Sequence, residues 1–296
     1  MLNHRHFALP RLFAYWVMLS STMAIADITV VDDTQQTLTL KRPAQRIISL
    51  APHITELLFS VSAGRQIVGA VSYSDYPEAA KALPRVGGYT RFDMEQIISL
   101  QPDLIIGWHS GNPRSQLAYV QSLNIPLFRS NPTTFLDIAH TLRRFGVLTG
   151  HAQAGQRLAQ DFLQRVRVLQ QRYEARSSVR VFYEVWRQPL LTVNGTHIIS
   201  RVIALCGGEN IYHELPSLTP TVSLESILVR RPEVILTSIA QDQMDEWQTR
   251  WQVFPDLPAV QRQLLFNINP DYVQRPTYRL LQGMDVMCQR IDQARL

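Results

Sequence analysis

The sequence predicts an α/β protein of two lobes, each with a parallel-sheet core, joined by one long backbone helix. Apolar strand-like runs alternate with helix-like segments over residues 46–150 and again from residue 177, the order that a parallel sheet covered on both faces requires. Between the two series lies one long amphipathic stretch, and one helix–proline–strand unit occurs in each half.

The chain opens with His4, Arg5, His6 and Arg11, an apolar run over 12–23, and Ala24-Ile25-Ala26. That is the form of a secretory signal with its cleavage site, and the run is shorter than the ~20 residues of a membrane span. Residues 1–26 are therefore expected to be a signal peptide, with Asp27 opening a soluble, exported chain. A ribbon is expected over 28–31 and 37–40, around Asp32-Asp33. Residues 46–50 read as a buried strand, 55–61 as a helix, 67–71 as a strand, 94–100 as a helix stopping at Pro102, 104–107 as a strand, and 123–128 as the next.

Residues 135–148 read as a helix ending at Gly150. From Ala152 to about Arg176 the apolar residues Leu158, Phe162, Val166, Leu169 and Tyr173 recur on one helical face. At 1.5 Å per residue a helix of about 24 residues spans roughly 36 Å, enough to connect two lobes rigidly. Alternation resumes with 179–185, 198–205, 223–229 and 234–237. The expected division is an N-terminal lobe over 27–150, a connecting helix over 151–176 and a C-terminal lobe over 177–296. The halves also echo each other: Met94-Glu95-Gln96 to Pro102-Asp103-Leu104-Ile105-Ile106 parallels Leu224-Glu225-Ser226 to Pro232-Glu233-Val234-Ile235-Leu236.

Composition excludes several functions. The formal charge is +5 over 296 residues, the basic residues are scattered, and no nucleic-acid-binding motif is present. No GxSxG, HExxH, phosphate-binding loop or GxGxxG occurs, so the chain reads as a non-enzyme with no cofactor. No three or four ligating residues gather in sequence, which argues against a free-metal site. Asn194-Gly195-Thr196 reads as a turn. In an exported chain, Cys206 and Cys288 without any CxxC read as a disulfide, with two buried free thiols as the alternative.

Four segments carry a resemblance: Ser49-Leu50-Ala51-Pro52-His53-Ile54-Thr55-Glu56-Leu57, Tyr73-Ser74-Asp75-Tyr76-Pro77, Pro102-Asp103-Leu104-Ile105-Ile106-Gly107-Trp108, and Cys206-Gly207-Gly208-Glu209-Asn210. Over nearly the whole mature chain the sequence resembles the periplasmic substrate-binding proteins that serve metal-chelate uptake by ABC importers. The Tyr-Ser-Asp-Tyr-Pro run and the cysteine pair are similar to the cobalamin-binding branch. The resemblance implies the helical-backbone fold of that family, with lobes that move little, and a monomeric shuttle that carries a corrinoid to a permease dimer.

It also implies a site. A flat corrin is held between aromatic side chains, which maps to Tyr73, Tyr89, Trp108 and, less directly, Trp186, while Asp271-Tyr272-Val273-Gln274-Arg275 aligns with a ligand-contacting loop. Such a pairing suits a broad macrocycle with peripheral amides. Tyr89 and Thr219 stand where the cobalamin branch has tryptophans, which reduces the stacking area. Glu95 and Glu225 correspond to the glutamates, one per lobe, that dock on permease arginines. The alternative cargo is haem or a ferric siderophore, for which His53, His109, Tyr73 and Tyr89 offer iron ligands.

Overall fold

The computed structural model describes Met1 and residues 27–296; the expected signal peptide, residues 1–26, lies outside the described residues apart from Met1. Strands β1 (Ile28–Val31) and β2 (Thr37–Leu40) form an antiparallel ribbon. Asp32 closes it: Oδ1 accepts from the Thr34 and Gln36 amides, and Oδ2 from the Arg129 amide, tying the ribbon to the first lobe.

The first lobe has a parallel sheet of β3 (Ile47–Ser49), β4 (Ile67–Ala70), β7 (Leu104–Trp108) and β8 (Leu127–Ser130), in the order β4-β3-β7-β8. Helices α1 (Pro52–Ser60), α2 (Met94–Ser99), α3 (Arg114–Ser122) and α4 (Phe135–Leu148) accompany it, with a small ribbon of β5 (Gly87–Gly88) and β6 (Arg91–Phe92). Helix α1 starts three residues before the expected position, because Pro52 has a φ suited to a first helical turn. The strand expected over 123–128 begins at Leu127. Leu123 caps α3, Asn124 turns the chain at φ +55°, and Pro126 has no amide to donate.

Helix α5 (Ala152–Tyr173) joins the lobes. Its 22 residues extend about 33 Å, and its buried face is Gly155, Ala159, Phe162, Val166, Leu169 and Tyr173. It packs closely on α4 where Gly146 and Gly155 meet; a Cβ on Gly155 would stand 2.4 Å from the Leu142 carbonyl oxygen.

The second lobe repeats the first. Strands β9 (Val179–Glu184), β10 (Gly208–Asn210), β11 (Val234–Thr237) and β12 (Leu265–Asn267) are parallel in the order β10-β9-β11-β12. In each sheet the first strand therefore lies between the second and third. The helices are α6 (Ile198–Leu205), α7 (Leu224–Arg230), α8 (Met244–Gln252), α9 (Pro258–Gln261), α10 (Pro270–Val273) and α11 (Leu280–Asp292). The sequence echo is structural: α2 leads to β7 as α7 leads to β11, both third strands. The amides of Asp103 and Glu233 donate to the carbonyls of Arg46 and Arg180, and their carboxylates accept from the backbone amides of those two arginines.

One apolar core runs from Ile47, Phe128 and Phe145 through Phe162 and Val166 of α5 to Val181, Ile203, Met284 and Met287. Cys206 and Cys288 form a disulfide between the end of α6 and α11, fully buried in it. A core shared by both lobes restrains their relative motion, since independent domain movement is the rule only across small or polar interfaces. Among the described residues no helix is long and apolar enough to cross a membrane.

Candidate ligand-binding cleft

Parallel strands deliver their successors at the carboxyl edge of the sheet, where open α/β sheets hold ligands. Tyr73 follows β4, Trp108 ends β7, Trp186 follows β9, Ser238 follows β11, and Pro270 follows β12. Trp108 is the last residue of β7 in register with β8, and the other four lie beyond the ends of their strands.

On the first lobe Tyr73 is 73% exposed and Tyr89 is exposed. The Tyr89 and Trp108 rings lie 6.2 Å apart at a 45° tilt, and His53 meets Trp108 edge-on at 5.2 Å. Asn112 fixes this corner by accepting from the Trp108 amide and donating to the Leu50 and Tyr89 carbonyls. His53 is 4% exposed, and among the described residues its Nε2 has no hydrogen-bond partner. Burial, and after it the positive charge of Arg275, lowers its pKa to about 3, so the imidazole is neutral.

The second lobe presents a cavity of about 540 Å³, lined by Tyr183, Trp186, His197, Thr219, Ser238, Gln243, Pro270 and Gln274 among others. Trp186 stands 63% exposed at its rim, with Nε1 donating to the Gln188 carbonyl. Behind Trp186 a smaller cavity of about 200 Å³ is backed by Glu184. That carboxylate, 3% exposed, accepts from the indoles of Trp247 and Trp251 and from Arg250, anchoring α8 to the end of β9. Burial lowers the His197 pKa to about 4; its Nδ1 accepts the Ile199 amide at the start of α6.

The 271–275 segment lies where the lobes meet, and its side chains take different directions. Gln274 donates to the Ser238 carbonyl and reaches the cavity. Val273 is fully buried in the shared core, so its side chain faces away from the cleft. Tyr272 packs against that core, and Asp271 is half exposed with its carboxylate 3.8 Å from Arg275. Arg275 crosses to the first lobe, donating to Asp75 at 2.7 Å and to the Tyr73 carbonyl at 3.2 Å. His109 lies apart, in a groove with Arg114 and Arg129. Glu95 and Glu225 are exposed in the first turns of α2 and α7, each behind a capping side chain, Asp93 and Ser223.

Tyr183, His197, Ser238, Gln243 and the pair Glu56–Arg279 were not singled out from sequence. Only Glu56 carried a signal: an acidic residue inside the apolar run of α1, which in a buried helix demands a partner. A groove of about 780 Å³ runs along α5 between α4 and α6. It lacks the exposed aromatic rings of the cleft. Asn194 is buried in an Asx turn, accepting from Thr196 and donating to the Leu215 carbonyl.

A family model described as periplasmic binding protein matches residues 47–272. The vitamin B12-binding protein of Vibrio campbellii is 35% identical over 253 residues, covering 86% of this chain and 91% of that protein. The crystal structure of the periplasmic vitamin B12 binding protein BtuF of Vibrio cholerae superposes with a TM-score of 0.78 at 36% identity, covering 86% of this chain and 98% of that one. The periplasmic heme-binding protein HutB of Vibrio cholerae superposes with a TM-score of 0.74 at 20% identity over 83% of this chain and 98% of that one, a likeness of fold alone.

Proposed function

We propose a cargo and a task for this chain, which belongs to the periplasmic binding protein family: it captures cobalamin or a closely related corrinoid between its lobes and hands it to an ABC importer. It acts as a carrier and performs no chemistry on the ligand. The observation that carries the reading is that both lobes carry exposed aromatic rings, Tyr73 and Tyr89 on the first and Trp186 on the second, beside the 271–275 segment that contacts the Tyr73 loop through Arg275 and the second-lobe cavity through Gln274. Flat apolar surface suits a corrin ring, and the polar groups around it, Asp271, Gln243 and Gln274, suit its peripheral amides. The relatives of 35–36% identity carry names that state vitamin B12 binding.

The shared core and single helix favour a cleft formed before ligand arrives, with monomers as the working unit. Glu95 and Glu225, one per lobe, are the residues proposed to meet basic groups on the permease dimer, since charges on a stiff frame set register and orientation.

Calorimetric titration of the chain from Asp27 onward with cyanocobalamin, haemin and a ferric siderophore tests the cargo. One-to-one binding of the corrinoid alone is expected. Binding of haemin alone would overturn the corrinoid reading and turn attention to the Tyr73 phenol and His53 as iron ligands. For docking, Glu95→Ala with Glu225→Ala should leave corrinoid affinity unchanged and reduce uptake in cells that depend on this carrier; unchanged uptake would refute that role.

A further inference from the structure

The loop carrying Tyr73 is held from across the cleft. Tyr73 has φ +64°, a left-handed backbone that costs a non-glycine residue about 1 kcal/mol or more and persists only where neighbours fix it. From its own lobe the loop has Thr55, whose Oγ1 donates to Ser74 Oγ at 3.0 Å. Its own lobe adds two backbone bonds, the Ser74 amide donating to the Val71 carbonyl at 3.3 Å and the Ala80 amide to the Pro77 carbonyl at 2.8 Å, while the partners of the Tyr73 carbonyl, the Asp75 carboxylate and the Tyr76 ring include two arginines of the second lobe. Arg275 donates to the Tyr73 carbonyl and to Asp75, and the Arg279 guanidinium lies 3.6 Å from the centre of the Tyr76 ring.

Both arginines converge on one first-lobe carboxylate. Glu56, in α1 and 1% exposed, accepts from Arg279 Nε at 2.9 Å and Nη2 at 2.8 Å, and from the Thr277 hydroxyl. Its Oε2 is 3.8 Å from Arg275 Nη1. A bidentate guanidinium–carboxylate pair fixes orientation as well as distance, and a buried one is strongly disturbed when either partner loses its charge. Neighbouring Thr55 and Glu56 thus restrain the same loop, one directly and one through the other lobe.

We propose that Glu56 is a positioning residue for ligand capture: through Arg279 and Arg275 it locks the Tyr73–Pro77 loop, so that the stacking ring of Tyr73 is placed by the contact between lobes. This rests on the reading of Tyr73 as a ligand-stacking residue. The second lobe then builds the first lobe's half of the site, and the cleft is intact only while the lobes stay apposed. Arg275, expected from the resemblance to reach the ligand, has its guanidinium engaged by Asp75 and the Tyr73 carbonyl, which makes it the intermediate link.

The test uses Glu56→Gln, which keeps shape and removes charge, and Asp75→Asn, which removes the carboxylate charge that Arg275 meets at an exposed residue. Each is combined with Tyr73→Ala in a double-mutant cycle read by cyanocobalamin affinity, and amide hydrogen exchange over 72–76 is followed without ligand. Each single variant is expected to weaken cyanocobalamin about tenfold, and to change affinity less than about twofold once Tyr73 is alanine, the pattern of residues coupled in one network. Exchange over 72–76 should accelerate while the β1–β2 ribbon is unaffected. Equal losses with and without the Tyr73 ring would overturn the proposal, as would unchanged exchange over 72–76. Should Glu56→Gln fail to fold, Asp75→Asn carries both readouts. Failure of the unsubstituted protein to bind cyanocobalamin would refute the cargo reading separately, and the exchange comparison would still decide whether the lock exists.

Discussion

Removing the Cys206–Cys288 bridge is expected to destabilise the protein by about 4.5 kcal/mol while leaving the ligand site as it was. The cysteines are 82 residues apart in sequence with Cα atoms 4.7 Å apart. In the chain-entropy model, closing a loop of that length restricts the unfolded chain by about 15 cal/mol/K, or about 4.5 kcal/mol at 25 °C. The bridge is fully buried, so reductant reaches it only through unfolding, and substitution is the cleaner perturbation. Cys206→Ala with Cys288→Ala is preferable to serine, because a buried hydroxyl without a partner adds its own cost. Urea unfolding at equilibrium reads the effect; with a slope of about 3 kcal/mol/M the midpoint should fall by about 1.5 M. Because this mechanism acts on the unfolded chain, cyanocobalamin affinity of the folded variant should match that of the parent. A stability loss under about 1 kcal/mol would refute the entropic account. So would a full loss accompanied by weaker binding, which would place the effect in the folded state through α11 and the Thr277–Arg279 segment before it.

Trp186→Ala should weaken corrinoid binding by about 1–2 kcal/mol, five- to thirtyfold, measured by titration; an unchanged affinity would remove the second lobe's ring from the site. Glu184→Gln faces two indole N–H groups and a guanidinium with an amide in place of a carboxylate, and should destabilise by about 3 kcal/mol; a thermal scan showing no shift would refute that role. Acid should weaken the fold through His53 and His197, whose folded pKa values are about 3 and about 4 against 6.5 unperturbed. The unfolded chain then binds more protons below pH 6.5, so their contribution is complete above that pH and falls as pH drops toward 4, by up to about 1.4 kcal/mol per unit for each histidine. Urea midpoints that stay level from pH 7 to pH 4.5 would refute it. His197→Asn keeps an acceptor for the Ile199 amide and should flatten part of that slope.

The parts of the fold legible in sequence were those with a local period. The ribbon at 28–40, the helix over 135–148 and the long α5 each declare themselves by alternation or by a single apolar face, and α5 ends at Tyr173, within three residues of the expected point. Helix α3 was illegible: it buries only Leu117 and Val120 and has no capping side chain. The short α10 falls in the segment read as a ligand loop, and its one turn buries Val273 while leaving Asp271 and Gln274 outside. Of the candidate site, the aromatic positions are proposed from motifs, and the structure leaves Tyr73, Tyr89 and Trp186 exposed. The groups that hold them were not legible, because Glu56 and Arg279 are 223 residues apart and Arg275 and Asp75 are 200 apart. No period or spacing announces a charge pair formed across two lobes.

The repeated topology ties the two proposed functional surfaces together. In each lobe a helix that leads into the third strand must run antiparallel to it, so it begins near the carboxyl edge of the sheet. Glu95 and Glu225 lie in the first turns of those helices, α2 and α7, and the same edges carry Trp108, Trp186 and the loops around the cleft. A permease contacting both glutamates would therefore meet the side of the protein from which the ligand leaves. The shared core and the Glu56–Arg279 pair fix the spacing between the lobes, so they also fix the separation of the two glutamates. On the proposed reading of Tyr73, pulling the lobes apart at a permease would break the pair and free the Tyr73 loop from Arg275 and Arg279 in one movement, so that loss of the charge pair and loss of the stacking ring would coincide.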